Sequence, residues 1–143
     1  MIEVSNHAGK SVMMWMQAYY YNFRRRIFKM VRKANIIQKQ ELGGGKGCAE
    51  VHEIVPEKDL YGHGKLYAKV VLKPNSSVGW HRHVGETEPY YILEGEGIFV
   101  DDDGSRTKVG PGDVCTILPG QCHAIENASS CKDLAFMALI HKD

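Results

Sequence analysis

The 143-residue sequence lacks the patterns of a secreted, membrane-spanning or phosphate-binding chain. Its four cysteines form no C-x-x-C pair, so we expect reduced thiols in a cytoplasmic protein rather than a disulfide framework. The apolar stretch over residues 12–23 is too short and too polar to cross a bilayer, and basic residues follow it instead of preceding it as in a signal peptide. The glycine run at residues 43–47 is not part of a Gly-x-x-x-x-Gly-Lys-Ser/Thr sequence, which argues against a P-loop.

A strong net charge is absent as well, but the total of +1 hides two oppositely charged parts. Residues 1–40 contain eight Lys or Arg and one acid, whereas residues 41–143 contain ten Lys or Arg and sixteen acids. We expect the two parts to attract each other, within a subunit or between subunits. No nucleic-acid recognition fold accompanies the basic part, so no nucleic-acid partner is expected.

From residue 43 onward the sequence has the pattern of many short β-strands. Between Leu66 and Leu72, apolar residues alternate with more polar ones such as Tyr67 and Lys69, as in a half-buried strand. Further strands are predicted at residues 90–93, 97–100, 114–118, 122–126 and 134–140, with turn signals between them. This spacing favours an all-β sandwich or barrel formed by residues 43–143.

Residues 1–42 form a basic N-terminal extension with a different pattern. Apolar side chains recur at spacings of three or four, which predicts an amphipathic helix: Val12, Met16, Tyr20, Phe23, Ile27 and Met30. Residues 32–42 link this helix to the β domain and are compatible with either strand or helix. We favour a solvated basic face whose apolar stripe packs on the β domain or on a second subunit. A native start at Met30, a membrane-surface helix and a nucleic-acid patch remain alternatives.

Two histidines one residue apart suggest a metal site. Side chains at His81 and His83 share one face if the segment is a strand, and Glu88 lies five residues further on. Imidazole and carboxylate groups together bind divalent transition metals. His123, forty residues after His83, is a fourth candidate ligand.

These residues stand in an arrangement that resembles the two motifs of the cupin superfamily. The first motif is His-x-His, four residues, Glu, six residues and Gly, which here spans His81 to Gly95. The second begins at Gly112 and contains Pro119, Gly120, His123 and Asn127, with Leu118 where proline is usual. The resemblance covers residues 45–141 and is closest to small single-domain bacterial cupins. It implies a single jelly-roll β-barrel.

The resemblance also implies a site and its partners. It implies one divalent transition metal ion per barrel, which could be Mn, Fe, Ni, Co, Cu or Zn. The implied ligands of this ion are His81, His83, Glu88 and His123. Such a donor set leaves one or two coordination positions open. We expect the pocket to be lined by Tyr90, Cys115 and Ile125. We also expect its ligand to be a small molecule and the chain to form a homodimer. No catalytic residue is assigned.

Neighbouring side chains are expected to lie outside the site. Trp80 and Arg82 have the opposite parity to the two histidines and should face away. Glu86 fits the motif spacing less well than Glu88 and is interpreted as a loop carboxylate. The groups that orient the imidazole rings are not identifiable from the sequence.

Three functional hypotheses follow from these residues. The first is a metal-dependent enzyme acting on a small carboxylate or sugar-like molecule, with decarboxylase, dioxygenase, isomerase and lyase chemistry all open. The second is a non-catalytic module that binds or senses a small ligand through its metal. The third assigns the function to the basic extension, as a tether to a partner or surface.

Overall fold

The computed structural model describes residues 13–17, 19 and 30–142. Residues 13–17 and 19 are helical, and most of the helix predicted over residues 12–30 lies outside the described residues. The chain divides into two compact units, residues 1–33 and residues 34–143. Among the described residues, no helix has both the length and the apolar character needed to cross a membrane.

The second unit consists of short β-strands. Over residues 30–142 the strands are β1 (Asn35–Gln40), β2 (Cys48–Val55), β3 (Gly64–Leu72), β4 (Ser77–Arg82), β5 (Glu86–Thr87), β6 (Tyr90–Glu94), β7 (Gly97–Val100), β8 (Arg106–Val109), β9 (Val114–Cys115), β10 (Cys122–Glu126) and β11 (Leu134–Lys142). Two 3-10 turns, Leu42–Gly44 and Glu57–Asp59, connect them. The strand predicted over residues 114–118 is shorter than expected, because the carbonyl of Ile117 accepts hydrogen bonds from Thr87 and Glu88 instead of continuing β9.

The strands form two antiparallel sheets. The larger has the order β1-β2-β3-β11-β6-β9, with β5 paired to β11, and the smaller has the order β4-β10-β7-β8. Buried side chains of both sheets form one core, with Leu72 and Phe136 from the larger sheet and Phe99 and Ile125 from the smaller. The predicted all-β jelly-roll barrel is therefore confirmed.

Alternation along β3 places its apolar residues in this core. Ala68, Val70 and Leu72 are buried, whereas Tyr67 is exposed on the other face. Val71 differs from a simple half-buried pattern, since it is buried although it has the parity of Tyr67. It lies on a central strand, where it is paired with Glu50 of β2 on one side and Ala135 of β11 on the other.

The segment that the sequence left open between strand and helix contains β1. This strand pairs with β2 over its whole length, from Asn35 opposite Glu53 to Gln40 opposite Cys48. The larger sheet therefore extends N-terminally of the glycine run at residues 43–47, and β1 supplies the side chain of Lys39 to the site described below.

The glycine run allows a close approach between two segments of backbone. A Cβ atom on Gly45 would collide with the carbonyl of Ser77, and one on Gly79 would collide with the carbonyl of Gly43. Only glycine fits on both sides of this contact. The turn after β1 is thereby packed directly on β4, the strand that carries His81.

Candidate metal centre

Four residues predicted from the sequence are brought together at one end of β4. His81 is in β4 and lies opposite His123 of β10 in the antiparallel register. His83 follows β4, where its N–H donates to the carbonyl of Gln121 and its own carbonyl accepts from Gly120. Glu88 lies between β5 and β6. One potential ligand atom from each of the four lies within 4.8 Å of the other three.

The ligand atoms form a tight cluster. The Nε2 atoms of His81, His83 and His123 are each 3.1 Å from the other two. Oε2 of Glu88 is 3.1 Å from Nε2 of His83 and of His123, and 3.6 Å from Nε2 of His81. His83, Glu88 and His123 are at most 3% exposed, whereas His81 is half-buried. Three of the four side chains are therefore shielded from solvent, and His81 is the most accessible of the four.

The spacing of these atoms fits a shared metal ion. Ligands about 2.1 Å from one ion and at right angles to each other lie about 3.0 Å apart. The observed Nε2 separations of 3.1 Å match this value. Three nitrogen acceptors and one carboxylate oxygen facing each other at this distance also repel one another unless a cation or protons lie between them.

Hydrogen bonds at the far side of two imidazoles orient their Nε2 atoms toward the cluster. Nδ1 of His81 lies 2.8 Å from the carbonyl oxygen of Gly79, and Nδ1 of His83 lies 3.2 Å from Oε1 of Glu86. Both partners are acceptors, so each Nδ1 carries the proton and each Nε2 has a free lone pair. This is the tautomer that a metal ligand needs.

The prediction that Glu86 is a loop carboxylate was wrong, although Glu86 is not one of the four clustered residues. Glu86 begins β5, is 8% exposed, and contacts both His83 and the ammonium group of Lys65. The motif spacing correctly favours Glu88 as the inner carboxylate, but it says nothing about a carboxylate that contacts the outer nitrogen of a histidine. The feature of the sequence that could have indicated this contact is that Glu86 and Glu88 are two residues apart, as are side chains on one face of a strand.

His123 differs from the other two histidines. Its Nδ1 is buried and has no hydrogen-bond partner among the described residues. Aromatic rings surround it instead, with the Tyr90 ring centre at 5.2 Å and the Phe99 ring centre at 5.7 Å. Packing, rather than a hydrogen bond, therefore holds this imidazole in place.

A comparison with known proteins identifies the family. The model of the cupin domain family matches residues 68–139, which is half of the chain and includes all four clustered residues. The chain belongs to the cupin family.

This cupin is similar to proteins from Thermotoga maritima. It is 40% identical over 113 residues to an oxalate-binding protein, covering 78% of this chain and 92% of the relative. The crystal structure of a predicted oxalate decarboxylase from the same organism has a TM-score of 0.74 and 38% identity, and the match covers 80% of this chain and all of that one. A polyketide cyclase from Streptomyces resistomycificus, at 21% identity, a TM-score of 0.65 and coverage of 81% and 80%, shares the fold alone.

Burial and charge in the cupin favour an anionic Glu88. Burial alone raises the pKa of its carboxyl group, but contacts with His123, His81 and His83 outweigh burial and hold the pKa well below its ordinary range. The pKa of His81 is raised, chiefly by Glu88, and the pKa of His123 is lowered, chiefly by burial. A buried anion among imidazoles is a favourable environment for a bound cation.

A cavity of about 210 Å³ adjoins the cluster. His81, Glu88 and Tyr90 contribute to its lining, and the hydroxyl of Tyr90 donates a hydrogen bond of 3.0 Å to Oε2 of Glu88. The other lining residues are Lys39, Leu42, Gly43, Val51, Leu66, Val70, Val78, Phe136, Ala138 and Ile140. The walls are therefore apolar except at the cluster and at Lys39.

The three expected pocket residues occupy different places. Tyr90 lines the cavity, whereas Cys115 and Ile125 are buried in the hydrophobic core. Burial raises the pKa of the Cys115 thiol to about 11, so this cysteine is protonated at neutral pH and unsuited to act as a nucleophile. Trp80 and Arg82 are exposed on the outer face, as predicted.

Proposed function

We propose that this cupin binds a small carboxylate anion, with oxalate as the first candidate, through one divalent transition metal ion held by His81, His83, Glu88 and His123. The observation that carries the proposal is the convergence of four metal-ligating atoms beside a small cavity. The similarity to an oxalate-binding protein over most of both chains supports the choice of ligand. A bound ion would supply positive charge and Lewis acidity for a carboxylate oxygen.

The donor atoms are compatible with each of the six metals expected from the sequence. Three imidazole nitrogens and one carboxylate oxygen suit Mn, Fe, Ni, Co, Cu or Zn. No thiolate takes part among the described residues of the cluster. Elemental analysis of the purified protein would identify the ion.

The cavity walls favour a carboxylate over a sugar-like molecule. A sugar carries several hydroxyl groups, and each would lose its water without gaining a partner against Val51, Val70 or Phe136. A small dicarboxylate concentrates its polar atoms at its two ends. One end can face the cluster while the other faces Lys39, the one lysine or arginine among the described lining residues.

Lys39 is placed to select for a negatively charged ligand. It lines the cavity and is exposed, so it lies where the cavity meets solvent. The register of β1 sets its position opposite Ala49 of β2. A cation at this point attracts an incoming anion and can pair with the carboxylate end that is turned away from the cluster.

The ionisable groups around the cavity favour binding over catalysis. Lys39, His81, Glu88 and Tyr90 are the ionisable side chains among the described lining residues. The proposed metal occupies His81 and Glu88, and burial together with Glu88 raises the pKa of the Tyr90 hydroxyl well above its ordinary value. Among the described lining residues, Lys39 is then the one group left for acid–base chemistry, and we therefore favour a ligand-binding or sensing role.

Decarboxylation is the second candidate. Loss of carbon dioxide from oxalate breaks the carbon–carbon bond and leaves a carbanionic carbon that must take up a proton to give formate. Lys39 is the observation in its favour, because it lines the cavity without belonging to the four-residue cluster and is a candidate donor of this proton.

Calorimetric titration and product analysis on one sample separate the two candidates. Full-length protein loaded with Mn²⁺ is titrated with oxalate, and then incubated with oxalate and assayed for formate and carbon dioxide. Binding of one oxalate per chain without product is the expected result. Formate production would instead favour the decarboxylase. A protein that holds one metal per chain but binds none of a panel of small carboxylates would contradict the proposal.

We also propose that the cupin is a cytoplasmic homodimer. All four cysteines are free. Several large apolar side chains in the described part of the first unit are strongly exposed in the single chain, including Met13, Trp15 and Tyr19. Burial of such side chains between subunits would be favourable. Light scattering on the eluting protein tests this, and a monomer at micromolar concentration would contradict it.

A further inference from the structure

The three clustered imidazoles have three different environments at Nδ1. His81 faces a backbone carbonyl, His83 faces the carboxylate of Glu86, and His123 has no partner among the described residues. The partner of His81 is a backbone carbonyl, which would be present whatever the side chain at that position. The orientation of His83 is the one that depends on another ionisable residue.

Glu86 is held firmly on both of its oxygens. Oε1 lies 3.2 Å from Nδ1 of His83, and Oε2 lies 2.5 Å from Nζ of Lys65. The backbone of Glu86 pairs with Lys142 of β11, so the strand pairing fixes the position of the Glu86 backbone from which the side chain extends. The carboxylate is 10% exposed, whereas the Lys65 side chain is 49% exposed and reaches it from the surface.

We propose that Glu86 is a positioning residue that sets the tautomer and ring orientation of His83, and that Lys65 holds Glu86 in the geometry this requires. An ionised carboxylate only accepts hydrogen bonds, so its partner nitrogen must carry the proton. With the proton on Nδ1, the Nε2 lone pair of His83 faces the cluster. This inference rests on the proposed function, since it assigns Glu86 a role toward the metal held there.

Loss of Glu86 would release His83 in two ways. The proton is then free to move to Nε2, where it would point at Nε2 of His81 and His123 only 3.1 Å away. The ring would also lose the one side-chain hydrogen bond that the described residues outside the cluster provide to it. Both changes reduce the fraction of protein ready to bind a metal, without removing any of the four ligands.

Metal affinity of full-length variants is the first measurement. Competition between protein and a chelator for Co²⁺ gives the Kd for wild type, Glu86→Ala, Glu86→Gln and Lys65→Met. We expect about 10- to 100-fold weaker binding for Glu86→Ala, the usual cost of removing a partner of a metal-binding histidine. Glu86→Gln should retain most of the affinity because its amide oxygen still accepts a hydrogen bond, and Lys65→Met should fall between these two.

Matched controls are available on the outer face of the barrel. Glu96 and Lys108 form an ion pair of 3.0 Å in which both side chains are 67% exposed. Glu96→Ala and Lys108→Met remove the same chemical groups away from the cluster. Their Co²⁺ affinity should equal that of wild type.

A second measurement separates positioning from a structural role. Long-range ¹H–¹⁵N NMR on the metal-free protein reports which nitrogen of each histidine is protonated. We expect His83 to be protonated on Nδ1 in wild type and Glu86→Gln, and to become a mixture of tautomers in Glu86→Ala while the metal-free melting temperature changes little.

The outcomes distinguish the two proposals. Wild-type affinity and an unchanged His83 tautomer in Glu86→Ala would overturn the role of Glu86 and leave the metal site intact. A wild-type protein that binds no Co²⁺ would overturn the metal site itself, and this inference with it.

Discussion

Two pairs of carboxylates in this cupin both contact nitrogen groups of other side chains but differ in their exposure to solvent. Glu86 and Glu88 are buried among histidines and a lysine. Glu96 and Glu126 instead form exposed ion pairs with two side chains of β8, Lys108 and Arg106. The exposed pairs are in contact with solvent, which weakens their attraction. A buried carboxylate is costly unless every oxygen is paired, so its partners constrain its position.

The degree of burial thus distinguishes the charged side chains of the candidate site from those on the surface. Oε2 of Glu88 lies within 3.1 Å of two imidazole nitrogens and accepts a hydrogen bond from Tyr90. The Arg106–Glu126 pair has equally short contacts, 2.7 and 3.0 Å, yet its two side chains are 53% and 38% exposed. Distance alone does not distinguish a functional charge from a surface charge.

The largest effect is expected from His123→Ala. It removes one of four ligands from the buried cluster, and the metal content by elemental analysis should fall from about one per chain to near zero. His63→Ala changes an exposed histidine and should leave the metal content unchanged. Stoichiometric metal in the His123 variant would contradict the assignment of the site.

Tyr90→Phe should have the next largest effect. It removes the hydroxyl that donates to the buried carboxylate of Glu88, at a cost of about 1.5–3 kcal/mol in the free energy of unfolding, typical of a hydrogen bond to a charged group. Urea unfolding measures this change. Tyr91→Phe is the matched control, because the Tyr91 side chain points outward from the same strand. Equal stability of the two variants would show that Glu88 does not need this donor.

Lys39→Met should weaken oxalate binding by the Mn²⁺-loaded protein about fivefold, corresponding to about 1 kcal/mol for a solvent-screened charge pair. The metal content should not change, because Lys39 is not a ligand. Salt should reduce the difference between variant and wild type. Lys58→Met removes an exposed lysine from a connecting turn and serves as the control in the same titration. Identical affinities for Lys39→Met and wild type at low salt would remove Lys39 from the binding model.

Arg106→Met should have the smallest effect on the free energy of unfolding, because ion pairs between exposed side chains contribute little to stability. Arg106 lowers the pKa of Glu126 from its ordinary value. The stabilisation from this pair is therefore present above the ordinary carboxyl pKa and is lost as the pH falls through the lowered pKa. Thermal melts between pH 7 and pH 3 should converge for wild type and variant, and a difference that grows in acid would contradict this sign.

The local patterns of the sequence predicted most of the fold. Alternation in β3, the strand at residues 97–100 and the final apolar strand all appear where they were expected. Two boundaries could not be predicted. Residues 32–42 have no strong period of their own, and β1 forms because β2 offers six paired positions. β9 ends at Cys115 because the carbonyl of Ile117 accepts hydrogen bonds from Thr87 and Glu88.

The candidate site was predicted less evenly. The four clustered residues were identified through motif spacing, which reflects the register that brings β10 beside β4. Glu86 was missed because its role depends on the far side of an imidazole and on Lys65, which comes from another strand. Cys115 and Ile125 point to the inner face of their strands. Strand alternation identifies this face, but it does not distinguish residues of the core from residues that line a cavity.

The sequence by itself determined which side chains are available and which of them share a face, because the period of a strand is a local property of the backbone. It determined the pair His81 and His83, the strand alternation and the glycines needed at close contacts. The tertiary structure alone decided that Glu86 pairs with Lys65 and that Lys39 meets the cavity. Those contacts join separate strands, and their distances follow from how the two sheets pair and pack.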